Sequence, residues 1–194
     1  MSSRGIVTGT GTQRSVGYSN PEKRMADDFY ETPAVAIEEL LKREKFQDPI
    51  WEPASGAGAI SKILEKHGYE VVSSDIRKDT YGEYPELDFL KNSIPGFYPK
   101  SIITNPPFSS ALPFILRALE EPGVEKIAIF CRIQLLEGKE RYLALWSKYP
   151  PARIYVFSKR VTCSSEGVTI MCFAWYCWER GFKGKPEFNW ILPE

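Results

Sequence analysis

Ser101-Ile-Ile-Thr-Asn105-Pro106-Pro107-Phe108 constrains this chain more than any other stretch. Ile102 and Ile103 read as the end of a short buried strand. Two prolines then stop it, because neither has an amide hydrogen for a sheet ladder and each fixes its own φ. From Ser109 to Glu121 the pattern is helical, with Leu112, Ile115, Leu116 and Leu119 on one face. A strand that ends this abruptly and hands over to a helix belongs to an α/β sheet. It holds an amide side chain, two rigid imino acids and an aromatic ring at the carboxyl end of a strand, where open α/β sheets bind ligands. The same residues also make an ordinary proline-rich turn, with Phe108 packed in the core. The rest of the chain has to decide.

Residues 1–26 are rich in Gly, Ser and Thr and read as an N-terminal arm. In Tyr30-Glu31-Thr32-Pro33 that follows, Thr32 predicts an N-cap and Pro33 a first helical residue. That helix carries Ile37, Leu40 and Leu41 on one face and runs to about Lys45. Ile50 and Trp51 predict a strand, followed by Glu52-Pro53-Ala54-Ser55-Gly56-Ala57-Gly58 and a helix marked by Ile60, Ile63 and Leu64. Such a strand, glycine loop and helix N-terminus offers backbone amides to an anionic group and lets a ligand approach closely. It falls short of the full Gly-x-Gly-x-x-Gly of dinucleotide enzymes. Glu70 to Asp75 predicts a second strand ending in a carboxylate, about twenty residues past the glycines, where an acidic residue can take both hydroxyls of a ribose. A surface Asp capping a strand is the plainer alternative. Residues 77–86 are polar and irregular, and Leu87-Asp88-Phe89-Leu90 suggests a third strand end.

Val124 to Cys131 predicts a buried strand, and Gly138 to Lys148 a helix with Tyr142, Leu145 and Trp146 in the core. Arg153–Phe157 and Thr169–Trp178 predict two more strands, joined antiparallel through Ser158–Val168. Trp175, Tyr176 and Trp178 lie along the second of these and read as packing. Periodicity alone gives an α/β domain with a mostly parallel sheet, spanning 27–194 as one unit.

Composition narrows the chemistry. The four cysteines (Cys131, Cys163, Cys172 and Cys177) lack any Cys-x-x-Cys spacing and His67 is the sole histidine, which disfavours structural zinc and a histidine-centred triad. Free thiols fit a reducing cytoplasm. No apolar run is long enough to span a bilayer and no leader pattern opens the chain, so a cytoplasmic location without membrane or metal is expected. Net charge is zero but unevenly spread: 14 Lys/Arg against 19 Asp/Glu through Glu125, then 11 against 6. The basic final third suits phosphates or simply a solvated surface.

Taken in order, these stretches resemble S-adenosylmethionine-dependent N6-adenine DNA methyltransferases, in particular the small orphan enzymes that phages and prophages carry. Asn105-Pro106-Pro107-Phe108 resembles motif IV of the amino-methyltransferases, Tyr30-x-Thr32-Pro33 resembles motif X, and Glu52-Pro53-Ala54-x-Gly56-x-Gly58 resembles motif I. The resemblance covers roughly Phe29 to Val161. It implies a Rossmann-like class I sheet of seven mostly parallel strands, closed by an antiparallel C-terminal hairpin, with helices on both faces. It implies S-adenosylmethionine as cofactor, its methionine part met by Tyr30 and Thr32. Glu52 would face the ammonium, with Pro53, Ala54, Gly56 and Gly58 around it. Asp75 would hold the ribose, with Ile76 beside it as a further cofactor-binding residue, Asp88 would hold the adenine amine and Phe89 the adenine face.

The family's mechanism would fall to Asn105 and the carbonyl of Pro106, stiffened by Pro107, which accept the two hydrogens of a target amine. Phe108 would stack on the base, and Lys159 and Arg160 would hold phosphate. DNA is the expected partner. The same tetrapeptide serves enzymes that methylate an RNA base or a protein glutamine, and a non-catalytic binding protein on this scaffold is a third possibility. One departure stands out: these DNA enzymes usually carry a sizeable target-recognition region, and here only short loops are available for one.

Overall fold

A computed structural model describes residues 31–161 and 171–193. Tyr30, the N-terminal arm and most of the Ser158–Val168 connection lie outside the described residues.

Seven strands form one sheet: β1 (Ile50–Glu52), β2 (Val71–Ser73), β3 (Ser101–Thr104), β4 (Lys126–Arg132), β5 (Arg153–Phe157), β6 (Phe173–Glu179) and β7 (Glu187–Ile191). Their order is β2-β1-β3-β4-β6-β5-β7. β1, β2, β3 and β4 run parallel, whereas β6 is antiparallel to both β4 and β5. The predicted C-terminal hairpin is therefore present, with Arg153 opposite Cys177 and Val156 opposite Ala174.

Alternation along the strands divides the core between the two faces. Ile103 packs on one side with Ile37 and Leu40 of α1 (Ala34–Arg43) and Ile60 and Leu64 of α2 (Ala59–Lys66). Its neighbour Ile102 packs on the other side, with Phe114, Ile115 and Ala118 of α3 (Ala111–Glu120). Trp175 belongs to the first face, and Tyr176 and Trp178 stack beside Trp146 on the second, so these aromatics are packing as expected.

Local bonding overrides the sequence pattern at several points. Thr32 is not the N-cap: α1 starts one residue later than predicted, and the cap position falls to the extended Pro33, which makes no side-chain bond. Leu87–Leu90 is not a strand. The Asp88 carboxylate accepts from the Leu90 amide at 3.0 Å and its carbonyl from Lys91 and Asn92, which closes the chain into a turn. The turn sends Phe89 inward, edge-on to Trp51 at 5.0 Å. The seventh strand is instead β7, paired parallel to β5 on the outer edge. Only three residues of the predicted Gly138–Lys148 helix are α-helical, Lys139–Arg141, before the chain widens into a π turn over Tyr142–Trp146. Tyr142 is consequently 60% exposed and is not a core residue, whereas Leu145 is buried.

At the amino-terminal end of the sheet the buried Glu44 accepts from Arg153 and Lys126, and from the Tyr155 hydroxyl at 2.8 Å. Part of the basic excess in the final third is thus committed to internal ion pairs. No helix among the described residues is long and apolar enough to cross a membrane.

Candidate active site

The strand order reverses beside β1: β2 lies on one flank and the next strand, β3, on the other. Such a switch point opens a crevice beyond the carboxyl ends of the strands. A cavity of about 410 Å³ lies there, within the size range of small-molecule sites. Its walls come from Glu31–Thr32 ahead of α1, the loop between β1 and α2, Asp75–Arg77 after β2, the Leu87–Leu90 turn, Asn105 with Pro107 after β3, and Ser109, Ser110 and Phe114 at the start of the following helix. Every predicted cofactor residue among the described ones except Gly58 lines it, and so does Asn105.

The glycine loop is bound largely to its own chain. The Gly56 amide donates to Asp75 Oδ2 at 2.9 Å, and the Gly58 amide to the Ser55 carbonyl at 2.7 Å. Both glycines need left-handed backbone, with φ of 56° and 80°. A Cβ on Gly58 would meet the ring of Tyr81 at 2.4 Å, so the space this glycine leaves is taken by the chain's own aromatic ring. Tyr81 is tied in on three sides. Its amide donates to the Gly56 carbonyl at 2.8 Å, its carbonyl accepts from Ser55 Oγ at 2.7 Å, and its hydroxyl donates to Glu65 at 2.8 Å. The irregular stretch 77–86 is therefore a brace across the loop, which no periodic signal marks.

Glu52 and Asp75 behave oppositely. Glu52 is buried, and its Oε2 accepts from the Ser61 amide at 2.8 Å and from the Ser61 hydroxyl. Burial pushes its carboxyl up from 4.5 to about 8, against the pull of those bonds. Asp75 is also buried, which acts to raise it, yet hydrogen bonds from Arg77 and from the Gly56 amide outweigh that and hold it below the usual carboxylate range. Oδ1 takes the Arg77 amide at 2.9 Å and Nε at 3.0 Å, and Oδ2 takes Nη2 at 3.0 Å besides Gly56. Those four bonds fill the acceptor capacity of a carboxylate, so a ribose would have to displace Arg77. Arg77 also lines the cavity, and nothing in its sequence context singles it out.

At the β3 end, Asn105 is half-buried and Pro106 buried, one residue after the four-residue ladder with β4 closes at Thr104–Ile129. Phe108 opens a single 3₁₀ turn ahead of α3 and is half-buried, packing against both core clusters. A residue that sequence reasoning missed lies against it: the Arg132 guanidinium, 4.2 Å from the ring centroid. Lys159 and Arg160 do not reach the cavity. They are exposed just past the carboxyl end of β5, on the same end of the sheet as Asn105. No cluster of three or more potential metal ligands occurs among the described residues.

No protein-family model and no curated protein sequence matches this chain. Solved structures do. The methyltransferase subunit of a type I restriction-modification system from Streptococcus thermophilus superposes with a TM-score of 0.60 at 11% identity, over 83% of this chain and 47% of that one. This chain thus spans about half the length of that subunit. A predicted O-methyltransferase from Agrobacterium tumefaciens gives 0.59 at 15% identity, over 84% and 87% of the two chains. A candidate hemolysin from Lactococcus lactis gives 0.60 at 10% identity, over 82% and 94%. What these likenesses define is the fold, the Rossmann-like class I methyltransferase fold, with its cavity at the expected switch point. Proteins of such different description share it, so the chemistry has to be argued from this chain's own residues.

Proposed function

We propose that this chain transfers a methyl group from S-adenosylmethionine to the N6 amine of adenine in DNA. The observation that carries this reading is a single cavity walled on one side by the glycine loop, Asp75 and Asp88, and on the other by Asn105 and Pro107. A donor bound along the first wall and an amine held at the second are thereby neighbours.

The cavity residues fit the cofactor. Glu31, Thr32 and Glu52 offer polar groups to an amino-acid end, and Ile76, Leu87 and Phe114 offer apolar surface to a ring system. Asp75 fits a ribose once Arg77 releases it. When bound, S-adenosylmethionine supplies an electrophilic methyl group on a sulfonium.

The protein's part concerns the amine. The lone pair of an adenine N6 is delocalised into the ring, which makes it a poor nucleophile. Asn105 Oδ1 and the Pro106 carbonyl each accept one of its hydrogens, which turns the lone pair toward the methyl group. Two successive imino acids fix that carbonyl, so the acceptors need little reorganisation as charge develops. An uncharged amide needs no tuned pKa, which suits a site without histidine. Phe108 stacks the base after it leaves its helix.

The choice of DNA rests on the family resemblance of the motifs in their order. The exposed Lys159 and Arg160 at the same end of the sheet and the restriction-modification subunit among the similar folds support it. Expression in a host lacking adenine methylation, followed by digestion and mass analysis of its DNA, tests the reading. N6-methyladenine is expected. Methyl groups found only on RNA or on protein glutamine would move the substrate, and transfer to no pool would leave a binding protein on this scaffold.

A further inference from the structure

Arg132 ends β4, the neighbour of β3, and therefore stands beside the Asn105 turn. Its guanidinium covers Phe108, and the same ring packs at 5.8 Å on Phe173, which stacks on Phe130 with centroids 4.9 Å apart and planes 7° apart. Phe130, Phe173 and Phe108 thus form an aromatic column rising from the core, with Arg132 as its outermost layer. Two other half-buried arginines are neutralised: Arg153 pairs with Glu44 and Glu179, and Arg117 with Glu121. Arg132 takes part in none of the ion pairs among the described residues. Besides the ring it has the sulfur of Met171, at 3.6 Å from Nη1.

A guanidinium is planar, weakly hydrated and stacks on aromatic faces much as a base does. At 4.2 Å from the ring centroid it leaves no room for a base between itself and Phe108. Guanidinium and base therefore compete for one surface, and stacking of a base on an aromatic ring is at least as strong as a half-exposed cation–π contact. Once displaced, a cation at this end of the sheet has the phosphate of the incoming nucleotide as its natural partner, alongside Lys159 and Arg160.

We propose that Arg132 is a substrate-binding residue that selects a nucleotide within a strand. It keeps the face of Phe108 covered until a base enters, then yields the ring and pairs with that nucleotide's phosphate. A glutamine side chain offers a much smaller stacking plane than a base and no phosphate, so this device suits nucleic acid better than protein. The inference rests on the methyltransferase reading of the site.

The experiment compares an uncharged probe with a charged one. Binding of adenosine, and methylation of a short adenine-containing oligonucleotide, are measured for wild type, Arg132→Ala and Arg132→Lys. Removing the competitor in Arg132→Ala should tighten adenosine binding roughly three- to tenfold. The same variant should raise KM for the oligonucleotide with a shallower salt dependence, the loss falling on KM rather than kcat. Arg132→Lys, which restores charge without the plane, should keep the adenosine gain and recover most of the oligonucleotide affinity at low salt. Adenosine binding that is unchanged or weaker in both variants, with wild-type methylation intact, overturns this proposal alone. A wild type that methylates no nucleic acid overturns the reading of the site and this proposal with it.

Discussion

The cavity wall at β1 and β2 is held by hydrogen bonds the chain makes with itself, whereas the wall at β3 owes its stiffness to two proline rings. In the first, Gly56 is tied to Asp75, Glu52 to Ser61, and Tyr81 fills the space beside Gly58. Each polar group there has a structural duty before any ligand arrives. In the second, two successive imino acids, Pro106 and Pro107, fix the backbone directly, and Phe108 packs the end of the turn onto Phe173. The contrast implies that changes in the glycine-loop wall affect folding and binding together, while in the proposed mechanism changes at Asn105 act chiefly on turnover.

The sharpest way to break that contrast is Asn105→Ala. Turnover should fall roughly 10²–10³-fold, the loss typical of a preorganised transition-state hydrogen bond. Donor affinity and Tm, read by calorimetry, should stay near wild type. Gly58→Ala should do the reverse. Its Cβ collides with Tyr81 in a left-handed backbone, at a cost of roughly 1–3 kcal/mol, and thermal melting should show Tm lowered by several degrees. Were Gly58→Ala as stable as wild type, Tyr81 would not brace the loop.

Asp75→Ala lies between these extremes, because it removes an acceptor from Gly56 as well as the proposed ribose partner. Titration calorimetry should show weaker donor binding, and melting a destabilisation of about 1–2 kcal/mol. A change in one without the other would separate the two duties.

Glu52 gives a pH test of the same wall. Its carboxyl is raised in the folded chain, from 4.5 to about 8. A raised carboxyl favours folding while protonated, so its contribution is complete below pH about 4.5 and is lost as pH climbs through about 8. Denaturant unfolding from pH 5 to 8 should therefore show a decline in stability that Glu52→Gln flattens. An identical slope in the variant would place the titrating group elsewhere. The smallest effects belong to Lys159 and Arg160. Single substitutions to Ala should weaken nucleic-acid binding a few-fold at low salt and less at high salt, and salt-independent losses would indicate packing instead.

Much of this architecture is legible in the sequence, since six strands, α1, α2 and α3 all carry apolar residues that pack into the core, those of β2 only in part. Asn105 and the glycine loop are legible because prolines and glycines restrict the backbone locally. What escapes a sequence reading depends on partners distant in the chain or on bonds the pattern does not encode. Phe89 looks like strand until the Asp88 carboxylate bonds its own backbone. β7 does alternate, with Phe188 and Trp190 on one face, but its strand character comes from pairing with β5 at Arg153–Phe157. Arg132, Arg77 and Tyr81 have no local signature, because each matters through a ring, a carboxylate or a glycine brought to it by the sheet. Thr32 is misread in its structural role, since it lines the cavity instead of capping α1.

In the proposed mechanism, one cavity brings a sulfonium methyl group within reach of an amine held by Asn105 and Pro106. Incubating purified protein with methyl-labelled S-adenosylmethionine and separate DNA, RNA and protein pools tests it most directly. Label is expected in DNA, recovered as N6-methyladenine and nearly abolished by Asn105→Ala. Label that appears in no pool, or that persists at full level in Asn105→Ala, would contradict it.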